Sequence, residues 1–126
     1  MKIKIKNQSG LADSKGRFEI VRQLSKTDLL EIIQVWQEKL NVKPHRLQIR
    51  RMRTKWCSCS SNGNLTINSE LIQLPREIVE YVILHELVHL IVPNHGKTFR
   101  VLLSVYLPNW EELHSKLTLT RARQRI

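Results

Sequence analysis

The stretch that most restricts how this chain can fold is YVILHELVHLIV, residues 81–92. Read as a helix, it is aliphatic on every side except at Tyr81, His85, Glu86 and His89. A helix that is apolar nearly all round belongs in the middle of a domain. A polar group buried there without a partner costs roughly 2–7 kcal/mol. The sequence therefore predicts a central helix and requires something inside the domain to satisfy two imidazoles and a carboxylate.

The spacing supplies an answer. His85 and His89 are four residues apart and share one helix face. Two imidazoles so placed can converge on one ion, and Zn²⁺ takes such nitrogens at about 2.0–2.1 Å. Glu86 is rotated by about 100° from His85, which suits it to act on a water beside the metal. This is the His-Glu-x-x-His arrangement of metal-dependent hydrolases. A catalytic zinc needs a third protein ligand and an open position, and His95, six residues after His89, is the candidate. A metzincin would carry glycine where Val92 stands, so that class is excluded. The turn back to His95 falls to Pro93 and Asn94, with Asn94 or Gly96 expected at positive φ. His45 and His114 read as ordinary surface or partly buried histidines. Cys57 and Cys59 read as small core residues.

With 126 residues, the chain suits one domain spanning 1–126, with its core over about 18–116 and a basic tail at 117–126. Apolar residues make up 41%, which favours a folded core over disorder. No apolar run approaches the ~20 residues of a membrane span, and MKIKIKNQSG lacks the apolar stretch of a signal peptide. Cys57 and Cys59 are too close in sequence for a relaxed disulfide, so a reduced, cytoplasmic setting is expected. The net charge is +10. It concentrates in KPHRLQIRRMRTK (43–55) and TRARQRI (120–126). Such charge favours nucleic acid or another polyanion as a partner, but no nucleic-acid module accompanies it, and a solvated face is the simpler reading. Oligomeric state is not encoded.

Alternation suggests strands at KIKIK and RFEIVRQL, paired across the turn chemistry of QSGLADSKG. Ser25 is a candidate N-cap with Asp28 in the first turn. Leu29, Leu30, Ile33, Trp36, Gln37 and Leu40 then predict a helix from about Lys26 to Leu40. RLQIRRMR, with Leu47 and Ile49 on one face, and SSNGNLTIN, with its Asn-Gly turn, read together as a β-hairpin. Pro75 opens a helix expected to run to about Val92, where Pro93 stops it. Phe99, Leu102, Leu103 and Tyr106 mark another helix from near Lys97, and a short one follows from Trp110 to Lys116. The predicted class is α+β: a short, mostly antiparallel sheet packed on three to four helices.

The segment MRTKWCSCSSNGNLTINSELIQLPREIVEYVILHELVHLIVPNHGKTF resembles the YgjP-like metallopeptidase family, once catalogued as DUF45. That family typically reads Arg-Trp-Gly-Ser-Cys-Ser, a strand, a Pro-led helix with Tyr-Val-x-x-His-Glu-Leu-x-His, and then Asn-His-x-x-x-Phe. The match runs from about Arg51 to Phe99. The resemblance implies a zincin-like fold related to SprT-like and M48-type peptidases. It implies His85, His89 and His95 as zinc ligands and Glu86 as the catalytic glutamate. Two positions depart from the pattern: Lys55 replaces the usual arginine, and Cys57 the usual glycine. If that glycine adopts positive φ, Cys57 is strained or the turn altered.

The chemistry expected is zinc-assisted hydrolysis of a peptide or protein, with Glu86 as general base. Tyr106 and His114 are the downstream candidates to stabilise the oxyanion. Trp56, beside the strand arms nearest the metal helix, is a candidate cleft wall for substrate, with a place in the core as the equal alternative. Two rivals use the same histidines: a nucleotide phosphohydrolase, which would want a Gly-rich phosphate loop that is missing, and a nucleic-acid-associated module with structural zinc, which would want a fourth ligand.

Overall fold

In the computed structural model, which describes residues 11–12, 18–19 and 23–120, everything is arranged around the apolar helix. This helix is α2 (Arg76–Val88). Ten of its residues are buried, including His85 and Glu86. Val79, Val82, Ile83, Leu84, Leu87 and Val88 are fully inaccessible, each worth about 1.5–3 kcal/mol of transfer free energy. Such burial on all sides is possible only because α1 (Lys26–Leu40), α3 (Lys97–Tyr106), α4 (Trp110–Thr120) and the sheet all pack against it.

The start of α1 is fixed by a complete capping box. Ser25 Oγ accepts from the Asp28 amide at 3.1 Å, and Asp28 Oδ2 accepts from the Ser25 amide at 2.8 Å. Its end is a left-handed Asn41 at φ 54°. The buried stripe is Leu29, Ile32, Ile33, Trp36 and Leu40, the i, i+3, i+4, i+7 rows of one face. Leu30, expected on that face, lies 42% exposed, and Ile32 takes its place. Trp36 Nε1 donates to Glu80 Oε1 at 3.0 Å and so ties α1 to α2.

Three strands form the main sheet: β3 (Arg46–Arg50), β4 (Cys57–Cys59) and β5 (Asn64–Asn68), in the order β3-β5-β4. The Asn-Gly turn joins β4 to β5 as an antiparallel hairpin, with Cys57 opposite Ile67 and Cys59 opposite Leu65. Gly63 sits at φ 80°, the left-handed residue that follows the turn, and its amide donates to Ser60 O at 2.9 Å. RLQIR is not the other arm of that hairpin. It pairs parallel to β5 over five residues, Arg46 opposite Asn64 through Arg50 opposite Asn68. Near the N-terminus β1 (Leu11–Ala12) pairs antiparallel with β2 (Phe18–Glu19). The expected strand at KIKIK lies outside the described residues. β5 runs into a 3-10 turn, Ser69–Gln73, and Pro75 then caps α2.

Regular α2 ends at Val88, four residues before the expected Val92. The amides of His89, Leu90 and Ile91 bond three residues back, to Glu86, Leu87 and Val88. The helix tightens because Pro93 disfavours helical backbone in the residue before it. At the other end of the chain α4 continues past Lys116 to Thr120, and Leu117 is buried.

Candidate metal centre

The last turn of α2 carries His85, His89 is its C-cap, and the tight turn beyond returns the chain to His95. This turn needs no positive φ: among the described residues only Asn41 and Gly63 adopt it. The expectation of a left-handed Asn94 or Gly96 is therefore corrected. Asn94 Oδ1 instead accepts from the Gly96 amide at 3.0 Å, and that bond closes the loop. A Cβ on Gly96 would stand 2.9 Å from Asn94 Oδ1, so glycine leaves room for the bond.

One ligand atom from each of His85, His89 and His95 falls within 4.8 Å of the others. His89 Nε2 and His95 Nε2 are 3.0 Å apart. Two nitrogens bound tetrahedrally to one zinc would stand ~3.3 Å apart, given bonds of about 2.0–2.1 Å. His89 Nδ1 lies 3.2 Å from Val92 O, a contact that fixes the orientation of the ring. Phe99, buried on α3, lies 4.6–5.0 Å from all three rings, centroid to centroid, and forms their floor. Exposure rises from His85 through His89 to His95, so the cluster opens to solvent on its His95 side.

Burial is the largest influence on each imidazole and lowers all three pKa values. For His85 the neighbouring His95 and His114 add to the lowering and Glu86 opposes it. For His89 the proximity of His85 adds, and for His95 that of His89. Neutral imidazole is the metal-binding form. His85 Nδ1 is buried without a hydrogen-bond partner, its nearest charged neighbour being Glu86 Oε2 at 3.5 Å. An orphaned buried nitrogen, three converging imidazoles and neutral donors together fit a divalent metal.

Glu86 is 3% exposed and is not among the converging donors. Burial alone would raise its pKa, but His85, the Cys57 thiol and His89 together bring it below the ordinary value. It stays an ionised carboxylate. Cys57 Sγ donates to Glu86 Oε2 at 3.0 Å, a contact across 29 residues that no local pattern signals.

Two cavities flank the cluster. On the Glu86 and His89 side a cleft of about 680 Å³ runs along β4, walled by Lys55, Cys57–Ser61 and Pro93. On the His85 and His95 side a hollow of about 250 Å³ is walled by Tyr81, Phe99, Trp110 and His114. Tyr81 Oη and His114 Nδ1 are 2.8 Å apart there. Tyr106 lies elsewhere, edge-on to Trp36 at 6.0 Å. Trp56, expected as a cleft wall, has no exposed surface and belongs to the core; this expectation is corrected. Trp56 lies in the bend before β4, and Cys57 opens the strand with its thiol directed at Glu86 on the helix. Cys57 is buried and Cys59 half-buried, and Cys57 has no positive φ, so replacing the family's glycine introduces no backbone strain.

A family model described as YgjP-like, metallopeptidase domain, matches residues 3–120. The chain belongs to the YgjP-like metallopeptidase family. Among solved structures, the metallopeptidase zymogen jannalysin of Methanocaldococcus jannaschii is 28% identical, with a TM-score of 0.66 over 75% of this chain and 97% of its own. The metallopeptidase zymogen abylysin of Pyrococcus abyssi shares the fold at 18% identity, with a TM-score of 0.68 over 78% of this chain and 99% of its own. No curated protein matches the chain. The family assignment implies a metal ion in this YgjP-like domain, and the three histidines are able to take one.

Proposed function

We propose that this YgjP-like metallopeptidase is a zinc peptidase that holds its ion through His85, His89 and His95 and uses Glu86 as general base. The observation that carries the reading is the convergence of three neutral imidazoles beside an ionised carboxylate at the floor of a cleft. Zinc there supplies Lewis acidity, which acidifies water and polarises the substrate carbonyl. Glu86 takes the water proton and delivers it to the leaving amine. β4 pairs only with β5 among the described strands, so its outer edge can receive an extended peptide through main-chain hydrogen bonds. His114 faces the cluster from the side opposite the Glu86 cleft, and Tyr81 orients its ring. That supports His114, rather than Tyr106, as the donor to the developing oxyanion.

Structural zinc usually has four protein ligands, and only three converge here, which favours the catalytic reading. Metal analysis of purified protein, with peptidase assays on unfolded substrates, tests it. One zinc per chain is expected. Glu86→Gln should keep the metal and lose turnover, whereas His85→Ala or His89→Ala should lose the metal. A metal-free protein after zinc supplementation, or full turnover in Glu86→Gln, overturns the proposal.

A further inference from the structure

Cys57 links two elements at the proposed base: its side chain extends from β4 across to α2 and ends 3.0 Å from Glu86 Oε2. The thiol is 1% exposed and lies at the inner wall of the cleft. It is not one of the donors that converge on the metal position, so its partner is the carboxylate.

We propose that Cys57 is a positioning residue for Glu86: by donating its S–H to Oε2, it holds the carboxylate in one rotamer with Oε1 free for the reacting water. This rests on Glu86 being the base. The two oxygens are not equivalent. Oε2 has the thiol at 3.0 Å and the His85 ring at 3.5 Å. Oε1 has no protein partner among the described residues. A carboxylate with one oxygen tethered keeps one orientation through the reaction, whereas an untethered one must be ordered each time. Sulfur suits the task because the thiol is a weak donor. It orients Glu86 without withdrawing as much basicity as a charged donor would. Burial, with the Glu86 charge beside it, raises the Cys57 pKa, which keeps the proton on sulfur and the group a donor. The strand also contributes. Cys57 is fixed by its pairing opposite Ile67, so the thiol is carried on a rigid element.

Two measurements test the assignment. The first needs no activity and no metal. In the infrared spectrum of the purified chain, the Cys57 S–H stretch should be displaced to lower frequency by its ionised acceptor. Cys57→Ala should remove that band, and Glu86→Ala should return it to the position of an unbonded thiol. An undisplaced Cys57 band overturns the contact. The second is kinetic, on zinc-loaded protein. Cys57→Ala should lower kcat about tenfold, with KM and zinc content little changed, as expected for losing one hydrogen bond to a charged group. Cys57→Ser, which keeps a donor, should recover part of the loss and also controls for folding. Full kcat in Cys57→Ala overturns the positioning role while leaving the peptidase reading intact. Loss of zinc in that variant would make Cys57 a ligand and overturn it differently. A zinc-loaded wild-type chain that cleaves no peptide defeats the underlying reading, and with it the catalytic role of the thiol.

Discussion

Asn68 has no exposed surface, yet every polar atom of its side chain is used. Its Nδ2 donates to Met52 O at 3.0 Å and to Lys55 O at 2.8 Å, and its Oδ1 accepts from the Glu70 amide at 3.0 Å. Its own amide donates to Trp56 O at 2.8 Å. One residue at the end of β5 thus ties down the irregular segment that leads into β4, and with it the strand carrying Cys57. In the sequence it is only the last letter of NLTIN, and its partners lie 13 and 16 residues away. Asn68→Leu would leave two carbonyls and an amide short of partners inside the domain. We expect a loss of about 2–4 kcal/mol, because each unsatisfied buried group costs roughly 1–3 kcal/mol. Thermal denaturation checks this, and an unchanged Tm would show that the loop finds other partners. A different outcome is expected at His114, which is exposed and outside the core. His114→Ala should cost only about 1–2 kcal/mol, by taking from the buried Tyr81 hydroxyl its 2.8 Å partner, while lowering kcat about tenfold or more if it meets the oxyanion. Equal kcat in the variant and wild type would remove it from the mechanism.

Among the elements, α1 shows what a sequence can state openly. Its boundaries are written in local chemistry, with Ser25 and Asp28 closing the start and Asn41 the end. Ser25→Ala should therefore cost about 1 kcal/mol, read by denaturant unfolding; a loss below a few tenths would mean that tertiary packing alone holds the first turn. The metal helix was legible for another reason: its apolar residues leave no solvent face, so its central place and the inward direction of His85 and Glu86 follow from composition and pitch. The sheet was less legible. Alternation in RLQIR says that a strand forms but not which neighbour it takes, and its parallel partner β5 arrives only after β4 has intervened. The Cys57–Glu86 contact and the Tyr81–His114 pair join separate elements, and no periodicity reports which side chains meet across a tertiary interface. Trp56 belongs with these cases: it lies in the bend before β4 and not in the strand, so alternation along WCSCS does not report where its ring goes.

The molecule as a whole carries two electrostatic features that act on different scales. Lys43, Arg46, Arg50, Arg51, Arg53 and Lys55 are all exposed before, along and after β3, one of the two outer strands of the sheet. Cations on an edge strand discourage pairing with another chain. Any attraction of polyanions to them should fade as salt rises, so retention on a polyanion matrix at low ionic strength should vanish by about 0.15–0.2 M salt; retention that persists would reveal a specific partner. The second feature is internal and sets the response to acid. His85, His89 and His95 all have folded pKa values below their ordinary value of 6.5, chiefly through burial. Below that pH the unfolded chain binds more protons than the folded one, so stability falls as pH falls. The Glu86 carboxyl, also held low, begins to add in the same direction as pH drops through its ordinary 4.5. The metal-free protein should thus lose Tm in two stages on acidification, the first starting near pH 6.5 and the second near 4.5. Zinc should deepen the first stage, because protons compete for the same three nitrogens. Replacing His85 by leucine removes the most buried imidazole and should flatten the first stage in the metal-free chain. Differential scanning calorimetry between pH 8 and pH 4 reads both stages. A Tm that rises between pH 7 and pH 5 would mean that the histidines are stabilised as cations in the fold, which is incompatible with three neutral imidazoles awaiting a metal.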